Sequence, residues 1–271
     1  MRVVSLLFHD VFTDDPAESG FVSDAAHRYK LALPDFDTQL AGVCGVRTDP
    51  PVDARSIECG SQTHGDSMPF LITVDDGGES YYTTIAERLD RRGWRGHCFV
   101  STDFIGRRGF LDREQIRSLA GRGHVIGSHS ASHPLRFSAL SFAEMVSEWA
   151  RSRQVLEDIV GSRVDVASVP GGYFSAAVAS AAHEAGIRVL FTSEPVTRVV
   201  SNGECLLIGR FTIRRGDRHD AARRYVSTAL ARSLAWASWN AKGLVKPLLG
   251  SSYIRLSDWL LAPRASSRTQ A

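Results

Sequence analysis

The stretch Pro69 to Gly77, PFLITVDDG, limits what this chain can fold into more than any other. Phe70 to Val74 are apolar or β-branched and run straight into Asp75, Asp76 and Gly77, the pattern of a buried parallel strand ending at a functional rim. Successive side chains on a strand point to opposite faces, so the two carboxylates serve one site only if the backbone turns there. Gly77 and Gly78 offer that turn. Like charges this close raise each other's pKa unless a cation stands between them. The pair therefore asks for a metal, a cationic side chain or solvent, while plain turn chemistry accounts for Asp-Asp-Gly about as well when it is taken alone.

Val3 to Phe8, ending in His9 and Asp10, repeats the same form. Thr13 to Pro34 is broken by Pro16 and Gly20 and reads as a loop excursion, followed by a short helix from Asp35 to Cys44 and a loop over Ser61 to Ser67. From residue 70 onward strands and helices alternate. The spacing predicts helices over Ser80–Arg92, from Asp112 to Gly121 or Gly123, from Ser141 past Ile159, and from Ser175 to Ala185. Between them it predicts strands at His97–Val100, Val125–Gly127, Val164–Val169, Arg188–Thr192 and Leu206–Ile213. Such alternation predicts a parallel sheet whose active groups lie at the strands' C-terminal ends.

At 271 residues the chain has the size of one α/β barrel with an appendage. Its 32 basic and 30 acidic residues leave a formal net charge of +2, so no global field argues for a nucleic-acid partner. Cys44, Cys59, Cys98 and Cys205 are far apart and read as reduced thiols. The N-terminal segment is a poor signal peptide, and no run reaches the roughly 18 apolar residues of a membrane span. The expected location is cytoplasmic.

His129 and His133 form H-x-x-x-H, a spacing that puts two imidazoles on one side of a helical turn, though two polar loop histidines ended by Pro134 fit it also. Ser130 stands where a zincin needs glutamate, so a catalytic base has to come from elsewhere. Two histidines and one carboxylate with open positions make a catalytic metal site, and the other carboxylate of the 75–76 pair is then free to act as base.

Thr73-Val74-Asp75-Asp76-Gly77 and His129-Ser130-Ala131-Ser132-His133-Pro134, with Phe110-Leu111 and Gly123-His124-Val125-Ile126-Gly127 between them, resemble the polysaccharide deacetylases with a NodB-like homology domain. The likeness is firm over Pro69 to Thr192. It implies an α/β fold, a distorted (β/α) barrel, and a divalent metal, zinc first, held by Asp76, His129 and His133 with Asp75 as general base. It also implies hydrolysis of an N-acetyl or O-acetyl group on a sugar. The third motif of the family falls at Ser168-Val169-Pro170-Gly171-Gly172, making the Gly171 N–H the candidate oxyanion donor, supported by Pro170 and Gly172.

Two departures stand out. Ser168 replaces the arginine that steadies the base in the family, and Phe191 to Pro195 lacks the expected acidic-Trp motif, so both members of a supporting pair look lost together. The C-terminal Leu-x-His-Asp is absent too, but Leu7-Phe8-His9-Asp10 has that form at the other end, as in deacetylases of poly-N-acetylglucosamine that look circularly permuted. A closed barrel makes its first and last strands neighbours. His9 is then the expected general acid, with Asp10 orienting it.

The expected organisation is a barrel over 1–217, with a loop-rich excursion at 11–67, a C-terminal helical extension over 218–262 and a tail over 263–271. The extension interleaves Tyr225, Leu230, Leu234, Trp236, Trp239, Leu244, Tyr253, Leu256, Trp259 and Leu260 with basic residues. Packing on the barrel explains this pattern, and peripheral contact of 225–260 with the inner membrane face is the second option. The leading reading is a metal-dependent deacetylase acting on an acetylated amino sugar, free, nucleotide-linked or lipid-linked. The alternative is a catalytically silent carbohydrate-binding domain that keeps the pocket.

Overall fold

The computed structural model describes residues 1–57, 68–203 and 205–249, the last eight as backbone. Its strands in chain order are β1 (Val4–Phe8), β2 (Val11–Phe12), β3 (Leu31–Ala32), β4 (Phe70–Val74), β5 (His97–Val100), β6 (Val125–Ser128), β7 (Val166–Ser168), β8 (Val189–Phe191), β9 (Val200–Asn202), β10 (Cys205–Ile208) and β11 (Phe211–Thr212). Nine of them form one sheet, in the order β11-β1-β4-β5-β6-β7-β8-β10-β9. Every pairing is parallel except the β9–β10 hairpin. The expected (β/α) barrel is therefore the architecture observed.

One expected strand is two. Leu206 to Ile213 breaks at Gly209–Arg210, with Ile208 paired to Phe191 in β8 and Phe211 paired to Leu6 in β1. A single stretch of chain thereby joins opposite ends of the sheet and closes the barrel. Gly209 permits this because a Cβ there would lie 2.3 Å from the Glu194 carbonyl oxygen, closer than any side chain can sit.

Strand alternation then sorts the side chains. Val4, Leu6 and Phe8 of β1, Phe70, Ile72 and Val74 of β4, and Cys98 and Val100 of β5 face outward into the core beneath the helices. Val3, Leu71, Phe99, Val125, Val166, Val189, Phe191 and Ile208 fill the barrel interior. Followed along the same period, the interior rows reach Ser168 at the end of β7, His9, Asp75 and His129 one residue past their strands, and Arg210 two residues past β10. Alternation alone thus delivers these polar groups from five strands to one mouth.

The helices are α1 (Asp24–His27), α2 (Leu33–Cys44), α3 (Ala86–Asp90), α4 (Arg113–Gly121), α5 (Phe142–Val160), α6 (Ala176–Glu184), α7 (Ala221–Ser227) and α8 (Ala229–Leu249). Capping boxes at Asp112 with Gln115 and at Ser141 with Glu144 start α4 and α5 where the sequence predicts. The helix expected over Ser80–Arg92 opens instead as a π-turn, Tyr81–Ile85, before α3. The stretch Thr13–Pro34, expected as a loop, holds α1 and the β3 strand that pairs with β2, and Lys30 fixes it by donating to the Pro16 carbonyl at 2.7 Å and to the Ser19 carbonyl. Ala222 and Val226 of α7 join the outer core, so this first part of the C-terminal segment packs on the barrel.

Cys98 and Cys205 are buried free thiols and Cys44 is an exposed one. Cys59, the loop expected at Ser61–Ser67, the end of the expected helical extension with Tyr253, Leu256, Trp259 and Leu260, and the tail over 263–271 lie outside the described residues.

Candidate metal centre

Asp75 continues the inward row of β4, and its N–H donates to the Phe8 carbonyl at 3.2 Å. Asp76 would face outward, but its backbone adopts φ 78°, and the chain turns at this residue and again at Gly77, also φ 78°. The turn expected from the glycines therefore begins one residue early, at an aspartate, a residue type that tolerates the left-handed region. Both carboxylates consequently face one site.

His129 follows β6 on the inward row. Its Nδ1 lies 3.0 Å from the Ser168 carbonyl oxygen and 2.6 Å from Ser168 Oγ, and Ser168 Oγ in turn donates to Asp75 Oδ1 at 3.0 Å. The pattern is satisfied when Nδ1 carries a proton, which turns Nε2 into the mouth, where the Asp75 and Asp76 carboxylates raise the His129 pKa against the effect of burial and a bound cation would take the place of the Nε2 proton. His133 is not on a helical turn with His129, as the spacing suggested. The two sit on an irregular loop in which Ser130 and His133 have φ of 65° and 52°. Hydrogen bonds hold that shape: His133 N–H to Ser130 Oγ at 3.1 Å, and the Ala131 and Ser132 N–H groups to Glu148 Oε2 at 3.0 and 2.8 Å.

Asp76 Oδ1 lies 3.4 Å from His129 Nε2 and 3.5 Å from His133 Nε2. One donor atom from each of the three residues falls within 4.8 Å of the others. Two imidazole nitrogens and a carboxylate oxygen this close together fit a divalent cation of the zinc type. Burial opposes the charge of Asp76, yet its hydrogen bond to His129 and the imidazoles around it hold its carboxyl well below the usual range. Burial and the His129 charge push His133 down to about 4, leaving it neutral and able to ligate.

The base candidate is held by a residue the motifs do not contain. Arg210, fully buried in the β10–β11 break, donates Nη1 to Asp75 Oδ1 at 2.6 Å and Nη2 to Oδ2 at 2.8 Å. Its Nε donates to the Thr192 carbonyl at 3.0 Å, and its guanidinium carbon lies 5.8 Å from the ring centroids of Phe99 and Phe191. Burial by itself would raise the Asp75 pKa; the Arg210 charge, with that of His129, lowers it. The expected loss of a steadying arginine is thus corrected. The cation comes from position 210 instead of 168, Thr192 orients it from within the segment that lacks the acidic-Trp motif, and Ser168 links the base candidate Asp75 to the ligand candidate His129. A charged residue in an otherwise apolar strand, CLLIGRFTI, was the available signal, because a buried charge demands a partner.

His9 does reach the site: its ring lies 4.8 Å from that of Tyr29, its Nδ1 is buried without a hydrogen-bond partner, and burial lowers its pKa despite the nearby Asp76 and Asp75. Asp10 does not orient it. Its Oδ1 accepts from Ser19 Oγ at 2.6 Å and Ser80 Oγ at 2.7 Å, tying the Thr13–Pro34 stretch to the turn after β4, and burial pushes its carboxyl up to about 6. The chain turns away after β1, so His9 and Asp10 serve opposite sides of it. Pro170 is buried, while Gly171 and Gly172 form a turn with φ of 62° and 71°. A Cβ on Gly171 would lie 3.3 Å from the Tyr173 ring and 3.4 Å from the Leu135 carbonyl oxygen, which places this turn against the loop carrying His133.

Residues 63–190 match the family described as polysaccharide deacetylase. Over 125 residues, 46% of this chain, the sequence is 29% identical to the Bacillus subtilis protein named "Putative polysaccharide deacetylase YxkH". The chain spans less than half the length of the curated relatives it matches, 44% in that case. Among solved structures, the Streptococcus pyogenes deacetylase PplD in complex with acetate aligns with a TM-score of 0.70 at 16% identity, covering 84% of this chain and 99% of that one. IcaB from Ammonifex degensii aligns with a TM-score of 0.67 at 22% identity, covering 83% of this chain and 97% of its own. These likenesses show the fold.

Proposed function

From the NodB-like polysaccharide deacetylase domain that this chain carries, we propose a metal-dependent hydrolase that removes an acetyl group, N-linked in preference to O-linked, from an amino sugar within a polysaccharide. The observation that carries the proposal is the convergence of Asp76, His129 and His133 beside a second aspartate, Asp75, held ionised by Arg210. A divalent cation, zinc first, held by the three ligands supplies Lewis acidity at the acetyl carbonyl and at the attacking water.

The protein's own residues supply the rest. Asp75 accepts a proton from the water as its oxygen bonds to the acetyl carbon, and Ser168 and Arg210 fix the direction of that carboxylate. His9 in its protonated form, disfavoured by burial and favoured by the Asp75 and Asp76 charges, gives its proton to the sugar nitrogen as the C–N bond breaks, so acetate and a free amine leave. A tilted ring contact with Tyr29 packs the imidazole. The Gly171 N–H is the proposed oxyanion donor.

The test is elemental analysis of purified protein alongside acetate release from partly acetylated glucosamine oligomers. About one divalent ion per chain is expected, lost in Asp76→Ala and His129→Ala together with acetate release. A protein that stays metal-free after reconstitution, or variants that release acetate like the parent, overturn the assignment.

A further inference from the structure

Phe21, which the proposed mechanism does not use, reaches the metal centre from a stretch that carries none of the metal-ligand motifs. Its ring lies 4.7 Å from that of His133, at an interplanar angle of 42°. Phe104 and Phe110 meet Phe21 edge-on, with centroids at 4.8 and 5.1 Å. His133 also lies against His129, ring to ring, at 5.0 Å. Three phenyl rings drawn from two segments distant in sequence therefore converge, and one of them ends on a candidate ligand.

The two candidate histidine ligands are held differently. His129 is oriented through its Nδ1 by Ser168. Among the described residues no hydrogen bond from another residue reaches the Nδ1 of His133, whose bond to Ser130 Oγ is made by the backbone N–H. Its backbone has φ 52°, a conformation most side chains avoid, so no local preference fixes the direction of the ring. A ligating side chain needs that direction held from outside, by a hydrogen bond to the other nitrogen or by packing. At His133 the packing comes from Phe21.

The place of Phe21 is itself specified by the residues before it. Ser19 Oγ donates to Asp10 Oδ1 at 2.6 Å, the Ser19 carbonyl accepts from Lys30, and the Gly20 N–H donates to the carbonyl of Gly109, the residue before Phe110, at 2.7 Å. Gly20 has φ 68°, and a Cβ there would lie 1.9 Å from Asp10 Oδ2, so a side chain at this position would collide with the buried carboxyl. We propose that Phe21 is a positioning residue for the metal centre: it holds the His133 ring in its ligating orientation, and Asp10 and Lys30 hold the backbone that presents it. Asp10, which does not orient His9, thereby supports a ligand instead. This inference rests on the metal-dependent reading of the site.

Zinc affinity by competition with a chromophoric chelator, together with the visible absorption of the Co(II)-loaded protein, tests it without reading activity. A ring contact of this kind changes an equilibrium by about 2- to 12-fold. Expected is zinc binding about 3–10-fold weaker in Phe21→Ala, with altered Co(II) bands. Phe21→Tyr, which keeps the ring, should recover both, and Phe21→Leu, which keeps only the bulk, should not. Val22→Ala, at the exposed next residue, should match the parent. The melting temperature of the metal-free protein reports the fold, and where the alanine variant loses it Phe21→Leu carries the comparison. Zinc affinity within about twofold of the parent in the alanine and leucine variants, or leucine restoring what tyrosine restores, overturns the proposal and leaves the metal centre standing. A parent that binds no metal overturns the metal-dependent reading and this proposal with it.

Discussion

Replacing Arg210 by methionine tests the central electrostatic argument. The guanidinium is fully buried, makes a bidentate pair with Asp75 and donates to Thr192. Methionine roughly conserves the aliphatic bulk between Phe99 and Phe191 and removes the charge, leaving Asp75 buried without its main cation. Breaking a buried pair from one side costs about 3–5 kcal/mol, because the surviving charge keeps its desolvation penalty. For a chain of this size that is a fall in melting temperature of roughly 10 °C. If the cost comes from the stranded carboxylate, removing it must recover much of it. Arg210→Met/Asp75→Asn should therefore be at least about 1–2 kcal/mol more stable than the sum of the single changes implies. Arg210→Lys keeps the charge but cannot form the fork and should fall between parent and methionine variant. Urea unfolding of the four variants measures this. Single changes that add without coupling, or an Arg210→Met loss below about 1 kcal/mol, would refute the account.

Glu148→Ala frees the two N–H groups that shape the 130–133 loop and should weaken metal affinity about 10–100-fold in a chelator competition, with the barrel still folded by circular dichroism. Gly78→Ala would put a Cβ 1.8 Å from Asp10 Oδ1 and should cost more than about 2 kcal/mol, whereas Gly121→Ala, with nothing within 4 Å, should stabilise α4 by about 0.5–1 kcal/mol. His97 is buried in the barrel, accepts from the Ala54 N–H at 3.0 Å, and burial pushes it down to about 4. Its folded pKa lies below the unfolded value of about 6.5, so its contribution is full above that pH and is lost as pH falls through 4, up to roughly 3 kcal/mol. Unfolding at pH 7.5 and 4.5 should accordingly show a smaller acid loss in His97→Gln than in the parent.

The sequence by itself determined the elements and the chemistry they carry. Alternation along PFLITVDDG and HVIGSH specifies which residues share a strand face, and the capping boxes at Asp112 and Ser141 specify where helices begin, because both depend on neighbours a few residues away. Asp75, Asp76, His129 and His133 were legible for the same reason: each motif carries its own spacing. What only the tertiary structure decided involves partners distant in sequence. Arg210 meets Asp75 across 135 residues because Gly209 lets one strand leave β8 and join β1, a closure no local pattern encodes. Asp10 turned from His9 to Ser19 and Ser80 for a similar reason, since the side of the chain a residue serves depends on which loop comes to lie beside it. Local propensity and period set the rows of side chains; the packing of those rows against one another selected the pairs.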